Sequence, residues 1–159
     1  MTDDKLHIPK NFPNVTNLSY MYHNCTGLKQ SPLEGRFPNC TFAKDFISGT
    51  PLEGELNIQL PMVKYGATIF SGQKKVTRII TDLTSFKSYT NVETTSSYGN
   101  NMNNMFHNDS LVEYIDLTEC TPLFGHYMFG GCTKLQTIVG LSLSGLTLDV
   151  FNEYPRIST

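Results

Sequence analysis

The sequence predicts an α/β solenoid in which units of roughly 24 residues stack on one another. The first observation is an aromatic residue that recurs after intervals of 24, 24, 36 and 23 residues, at Tyr22, Phe46, Phe70, Phe106 and Phe129. The second is an aliphatic residue six positions after each aromatic, at Leu28, Leu52, Val76, Val112 and Leu135. A fixed period in the twenties is typical of stacked repeats and lies in the leucine-rich range of about 20–29 residues.

The first half of each unit is predicted to be a short helical turn. In residues 17–28, NLSYMYHNCTGL, the side chains of Leu18, Met21, Tyr22 and Cys25 follow the i, i+3, i+4, i+7 spacing of an amphipathic helix. A small or turn-forming residue, which commonly ends a helix, stands two positions after each aromatic. These residues are Asn24, Ser48, Gly72, Asn108 and Gly131.

The second half of each unit is predicted to be a β-strand. The segments VTRIITDL (76–83), LVEYIDLT (111–118) and LQTIVGLSL (135–143) are rich in β-branched residues, which favour strands. One unit cannot bury its own apolar side chains, whereas stacked units form a parallel sheet with continuous aromatic and aliphatic ladders. We therefore expect a buried core made of Met21, Tyr22, Leu28, Phe46, Leu52, Ile69, Phe70, Val76, Met105, Phe106, Val112, Met128, Phe129 and Leu135.

The repeats are expected to form a single leucine-rich-repeat domain. The 36-residue interval includes KSYTNVETTSSYGN, a polar segment rich in Ser, Thr and Asn that is predicted to be an inserted loop. The second unit is the least regular, because Asp45 and Glu55 interrupt its columns, and its register stays open by a few residues. The expected domain covers residues 1–159 and consists of an N-terminal cover at 1–13, repeats at 14–143 with the insertion at 87–100, and a partial sixth unit at 144–159.

Two stretches of the chain resemble the BspA-like leucine-rich repeats. They are NVTNLSYMYHNCTGL at residues 14–28 and YMFGGCTKLQTIVGL at residues 127–141. Units of that family typically carry a Met-Phe pair, a small residue followed by Cys, and then a Leu-x-x-Ile or Leu-x-x-Leu strand. The fifth unit matches this pattern at every position, with Met128, Phe129, Gly131, Cys132, Leu135 and Ile138.

The resemblance implies a right-handed solenoid that serves attachment or recognition. Such repeats are found in surface proteins of gut and oral bacteria, in protist surface proteins and in phage structural proteins, and the family has no catalytic residues to carry over. This chain departs from the family pattern in two ways. Cys occupies the expected position in two of five units, at Cys25 and Cys132, and the array is short.

Charge and hydropathy argue against several kinds of partner. The net charge of −2 gives no electrostatic attraction to nucleic acid or anionic lipid. No run approaches the ~20 apolar residues that a membrane-spanning helix needs, so no membrane insertion is expected. The first residues, MTDDKLHIPK, lack the apolar region of a signal peptide. We therefore expect the chain at the cell surface or outside the cell as part of a longer exported protein, or alternatively in a virion.

The cysteines and histidines do not form a catalytic or metal-binding motif. The sequence contains no CxxC, GxSxG or HExxH. Cys25 and Cys132 share a column four units apart, which at ~4.8 Å per strand is roughly 20 Å and too far for a disulfide. His23 and His107 also share a column, so the repeat itself explains them. We expect free thiols, no enzyme activity, no cofactor and no metal.

The inserted loop holds the candidate ligand contact. Tyr89 and Tyr98 lie there, outside any core column, and repeat proteins often place binding residues in inserted loops. The alternative is that these tyrosines pack against each other and order the loop locally.

Two non-enzymatic functions fit the sequence. The first is a recognition or adhesion module that offers the sheet face and the inserted loop to a protein or a glycan. The second is a structural component of a virion or another assembly, in which the solenoid docks on neighbouring subunits.

The ends of the solenoid are expected to be covered by self-association or by neighbouring subunits or domains. A stacked sheet has two open edges, and neither residues 1–13 nor residues 144–159 read as a full capping unit. We predict that the isolated 159-residue chain associates as its concentration rises, as measured by light scattering and sedimentation. A stable monomer at high concentration, with both terminal strands protected from hydrogen exchange, would contradict this prediction.

Overall fold

The chain winds as a β-solenoid of about four turns. The structure is a computed structural model that describes residues 11–28, 33–87, 102–121, 125–142 and 150. Within these residues there is no α-helix and a single short 3-10 helix at Thr84–Lys87. The strands are β1 (Leu33–Arg36), β2 (Glu53–Gln59), β3 (Lys75–Ile80), β4 (Tyr114–Cys120) and β5 (Thr137–Leu141).

The strands form one parallel sheet in the order β1-β2-β3-β4-β5, so each unit pairs with the next along the chain. The register pairs Leu56 with Ile79, Ile79 with Ile115 and Ile115 with Ile138. These aliphatic side chains point into the solenoid, and a shift of one residue would turn all of them toward water. The predicted solenoid and its parallel sheet are therefore confirmed.

The helix predicted over residues 17–28 is wrong, and consecutive hydrogen-bonded turns stand in its place. The amides of Met21 and His23 donate to the carbonyls three residues earlier, at 3.1 and 3.2 Å. The amides of Tyr20 and Tyr22 donate instead to the next unit, to the carbonyls of Lys44 at 3.0 Å and of Phe46 at 2.9 Å. Because alternate amides reach the neighbouring unit, these turns form a second hydrogen-bonded face of the solenoid.

Positive φ angles recur in pairs along this turn face and define its register. In each unit two residues four positions apart adopt the left-handed conformation, which an α-helix does not allow. The pairs are Tyr20 and Asn24, Asp45 and Gly49, Thr68 and Gly72, Asn104 and Asn108, and Tyr127 and Gly131. The residues midway between them are Tyr22, Ile47, Phe70, Phe106 and Phe129, which we call the central column.

The second unit is therefore shifted by one residue from its predicted register. Ile47, not Phe46, occupies the central column, and Phe46 takes the preceding column together with Ile69 and Met105. The same shift places Leu56, not Glu55, in the buried row of the sheet. Asp45 and Glu55 thus leave the apolar columns that they seemed to interrupt.

An aromatic ladder runs through the centre of the core. The rings of Phe70, Phe106 and Phe129 stack nearly parallel, with centroid distances of 5.4 and 5.5 Å and interplanar angles of 3° and 4°. Most of the predicted core is confirmed, because eleven of the fourteen side chains are buried. They are Phe46, Leu52, Ile69, Phe70, Val76, Met105, Phe106, Val112, Met128, Phe129 and Leu135.

The three exceptions all belong to the first unit. Met21 is 49% exposed, whereas Tyr22 and Leu28 are half-buried against the core. Among the described residues, the first unit packs along its turn face on one neighbour, the second unit, since those that precede its turns reach β1 instead. There Asn11 pairs with Arg36 and Phe12 stacks on Phe37 at 5.0 Å.

The far end of the stack continues beyond the fifth unit at one described point. The amide of Phe129 donates to the carbonyl of Val150 at 3.1 Å, just as Phe106 donates to Met128 at 2.9 Å. Val150 is buried. It therefore extends the column of Met105 and Met128 by one more unit.

Candidate functional site

The two tyrosines predicted to contact a ligand, Tyr89 and Tyr98, lie outside the described residues. The insertion at 87–100 falls there too, apart from Lys87, which ends the 3-10 helix. The loop contact therefore stays a prediction, and the described residues include other aromatic side chains that reach the surface.

Such side chains cluster on the first three units. Phe42 and Tyr65 form a parallel bridge, and their rings stack at 4.6 Å with an interplanar angle of 2°. Phe42 is 42% exposed, and Tyr20 on the preceding unit is 53% exposed. The ammonium group of Lys44 lies 5.8 Å from the Tyr20 ring centroid. We call Tyr20, Phe42, Lys44 and Tyr65 the aromatic patch.

The local backbone explains why these side chains point outward. Residues 42–44 alternate like a strand, so the exposed Phe42 and the half-buried Lys44 point outward while Ala43 between them is buried. The amide of Tyr65 donates to the carbonyl of Thr41 at 3.2 Å, which holds the third unit in register beneath the second. The repeat geometry therefore stacks two aromatic rings at the surface just as it stacks phenylalanines in the core.

The register error in the second unit hid this pair from the sequence prediction. With Ile47 in the central column, Phe42 and Tyr65 both stand five positions before it in their units, as Asn17 does in the first. With Phe46 in that column the two aromatics fall in different columns. An alignment of the units with Ile47 in the central column would have revealed that Phe42 and Tyr65 share a column.

The outer face of the sheet, expected to take part in binding, carries charges that pair with one another. Lys75 Nζ lies 2.6 Å from Glu53 Oε1, and Arg78 Nε lies 3.1 Å from Glu55 Oε2. The guanidinium carbon of Arg78 also lies 4.3 Å from the ring centroid of Tyr114. Exposed ion pairs contribute only about 0.2–1 kcal/mol each. The face is thus polar and internally compensated, which makes it a weaker candidate than the aromatic patch.

The histidines and cysteines are placed by the repeat. The rings of His23 and His107 each contact the amide nitrogen of the following Asn side chain, at 2.9 and 3.1 Å. All four cysteines are free, and burial raises the pKa of the Cys40 thiol to about 11 and that of Cys120 to about 12. Buried, protonated thiols are poor nucleophiles and poor metal ligands. In the residues described, no three His, Cys, Asp or Glu side chains converge on a common point.

Comparison with protein-family models, with curated proteins and with solved structures found no match to this chain. A search of the described segments for a helix long and apolar enough to span a membrane found none.

Proposed function

We propose that this chain is a non-enzymatic recognition module that binds a protein or a glycan through the aromatic patch. The observation that carries the proposal is the stacked pair of Phe42, which is exposed, and Tyr65, which is half-buried, beside Tyr20 and Lys44. Aromatic side chains are enriched in the centres of binding surfaces because they bury a large apolar area and, in Tyr, add a hydrogen-bonding hydroxyl.

Rigidity supports the same proposal. Each patch residue belongs to a unit whose backbone is hydrogen-bonded to its neighbour, and the two stacked rings hold one another in place. A ligand that binds there orders few additional rotamers, so little of the contact energy is lost to side-chain entropy. Tyr and Phe have only two side-chain torsions each, which lowers this cost further.

We also propose that the chain is a divergent relative of the BspA-like leucine-rich repeats. The burial of the residues that carry the resemblance in the fifth unit supports this proposal: Met128, Phe129, Cys132 and Leu135 are buried, and Ile138 packs against them. Turns replace the predicted helical segments, so the chain would be a nearly all-β variant of that plan. This relation favours recognition at a surface as the function.

The test is binding of the intact chain to a printed glycan array and to immobilised mucin, collagen and fibronectin. We expect saturable binding that Phe42→Ser weakens by at least about 30-fold, because loss of a central aromatic contact typically costs 2 kcal/mol or more. Leu111→Ser is the matched control, since Leu111 is also an exposed apolar side chain, at 43%, on the distant fourth unit. Circular dichroism should show both variants folded.

Two outcomes would contradict the assignment of this site. Binding that Phe42→Ser and Tyr65→Ser leave unchanged would exclude the aromatic patch. If Tyr89→Ser or Tyr98→Ser abolished the same binding, the inserted loop would be the contact, as the sequence predicts.

A further inference from the structure

A column of buried polar side chains runs through the solenoid directly behind the turn face. Each member follows the second left-handed residue of its unit, three positions after the central column. We call these residues the donor column: Cys25, Thr50, Gln73, Asp109 and Cys132. All except Cys25 are fully buried.

Three members of the donor column make the same hydrogen bond. Each donates to the carbonyl of the central-column residue in the preceding unit. Gln73 Nε2 donates to Ile47 at 2.7 Å and Cys132 Sγ donates to Phe106 at 2.9 Å, while the Thr50 hydroxyl donates to Tyr22. A side-chain proton is therefore what the column supplies at three of the four junctions between the five units.

Asp109 occupies this column without such a bond. Its Oδ1 accepts the amide of Gln73 at 2.8 Å, whereas its Oδ2 is buried and has no partner. By the pattern of the column its acceptor would be the carbonyl of Phe70. An ionised carboxylate cannot donate, and a protonated one donates a single strong hydrogen bond.

The backbone hydrogen bonding of the third unit differs from that of the other units in a way that leaves the Phe70 carbonyl as an acceptor for Asp109. In the other four units the amide of the donor-column residue bonds to the carbonyl three positions earlier, at 3.1 to 3.3 Å. In the third unit the amide of Gln73 bonds to Asp109 instead. The carbonyl of Phe70 therefore does not receive the bond that its counterparts receive within their own units.

We propose that the folded chain holds a proton on Asp109 Oδ2 at neutral pH, donates it to the Phe70 carbonyl, and thereby makes the junction between units three and four sensitive to pH. The groups that face this carboxyl are the amides of Gly72 and Gln73 on the preceding unit and the Cys132 thiol on the following one. None of them is a cation that would stabilise a carboxylate. Gln73 Oε1, also buried and without a partner, is a second acceptor on the third unit.

The direction of the pKa shift agrees with this geometry. Burial raises the pKa of Asp109 well above its ordinary value, and the amides of Gln73 and Gly72 lower it only in part. The pKa of the Cys132 thiol is raised as well, first by burial and then by Asp109, so it stays uncharged. The Cys132 thiol is therefore neutral and places no charge beside the Asp109 carboxyl group.

The consequence for stability has a definite sign. Below the ordinary Asp pKa of about 3.9, both the folded and the unfolded chain hold the proton, and the stabilisation is complete. Above that pH the folded chain holds a proton that the unfolded chain has lost. The folding equilibrium constant then falls by up to about tenfold per pH unit until the raised pKa of the folded state is reached.

The first experiment compares the pH dependence of unfolding in the full chain and in Asp109→Asn. The amide of Asn can donate to Phe70 through Nδ2 and accept from Gln73 through Oδ1, so it imitates the protonated carboxyl. Between pH 5 and pH 8 the wild type should lose stability more steeply than Asp109→Asn, by up to about tenfold in equilibrium constant per pH unit. Asp45→Asn is the control, since Asp45 is half-buried and accepts from the Thr68 hydroxyl at 2.6 Å.

The second experiment uses the wild type alone and does not depend on whether a variant folds. Infrared or NMR spectra of the chain labelled with 13C at the Asp carboxyl groups should contain one carboxylic acid signal at pH 7, after the exposed aspartates have ionised. Parallel pH profiles for the wild type and Asp109→Asn would overturn the proposal. Complete ionisation of every labelled carboxyl group at pH 7 would overturn it equally.

Discussion

Phe106→Ala is expected to lower the free energy of unfolding by about 3–5 kcal/mol, the range for removing a large aromatic side chain from a packed core. Phe106 is fully buried and is the middle ring of the ladder, between Phe70 at 5.4 Å and Phe129 at 5.5 Å. Truncation removes ring contacts with two units at once. In a stacked protein, where stability depends on the interfaces between neighbouring units, that loss weakens two successive interfaces.

Urea denaturation followed by circular dichroism measures this effect. Leu111→Ala is the control, because Leu111 is 43% exposed on the same unit and its truncation should cost no more than about 0.5 kcal/mol. Equal losses for the two variants would show that the aromatic ladder contributes nothing beyond an ordinary surface contact.

The stacked architecture could be predicted from the sequence because each buried column requires large apolar side chains at a regular interval. A fully buried ring such as Phe106 leaves room for little else at that position, so an aromatic side chain recurs there in four of the five units, with Ile47 in the second. The inward row of the sheet is likewise visible as Ile79, Ile115 and Ile138. Burial imposes both patterns, whichever local conformation the intervening residues adopt.

The local conformation of the turn face could not be read in the same way. Apolar residues spaced at i, i+3 and i+4 fit an α-helix, and they also fit successive turns in which amides alternately bond three residues back and reach the next unit. The turns differ from a helix in the left-handed backbone at positions such as Tyr20 and Thr68. A positive φ would not be predicted for Tyr or Thr, because residues of these types rarely adopt it. The tertiary hydrogen bonds between units override the local preference.

The candidate surface was missed for a related reason. The exposed Phe42 and the half-buried Tyr65 form a column only in a register that a one-residue shift in the second unit conceals. Asp109 was missed because its significance lies in bonds to a different unit: the sequence shows an acid after Asn108, and nothing local says that it is buried. Contacts between units that are 36 residues apart at this junction cannot be inferred from either segment alone.

Gly140→Ala is expected to lower the free energy of unfolding by about 2–5 kcal/mol. Gly140 in β5 has a φ of 76°, where an L-residue costs about 1–2 kcal/mol. A Cβ there would also lie 2.1 Å from the carbonyl oxygen and 2.6 Å from the carbonyl carbon of Thr118. That obstacle is backbone, in the irregular part of the pairing between β4 and β5, so it cannot rotate away as a side chain would.

Two further glycines allow the two causes to be separated. Gly72 has a φ of 81°, but a Cβ there meets its nearest atom, the Gly49 nitrogen, at an ordinary 3.4 Å, so Gly72→Ala should cost only the backbone term of about 1–2 kcal/mol. Gly27 has neither feature, since nothing lies within 4 Å of its Cβ position, and Gly27→Ala should change stability by less than about 0.5 kcal/mol. Urea denaturation of the three variants should therefore rank them Gly27, Gly72, Gly140 in increasing loss. If Gly140→Ala were no worse than Gly72→Ala, β4 and β5 would have room to separate at Thr118, and the close backbone approach would not be what holds the fifth unit on the stack.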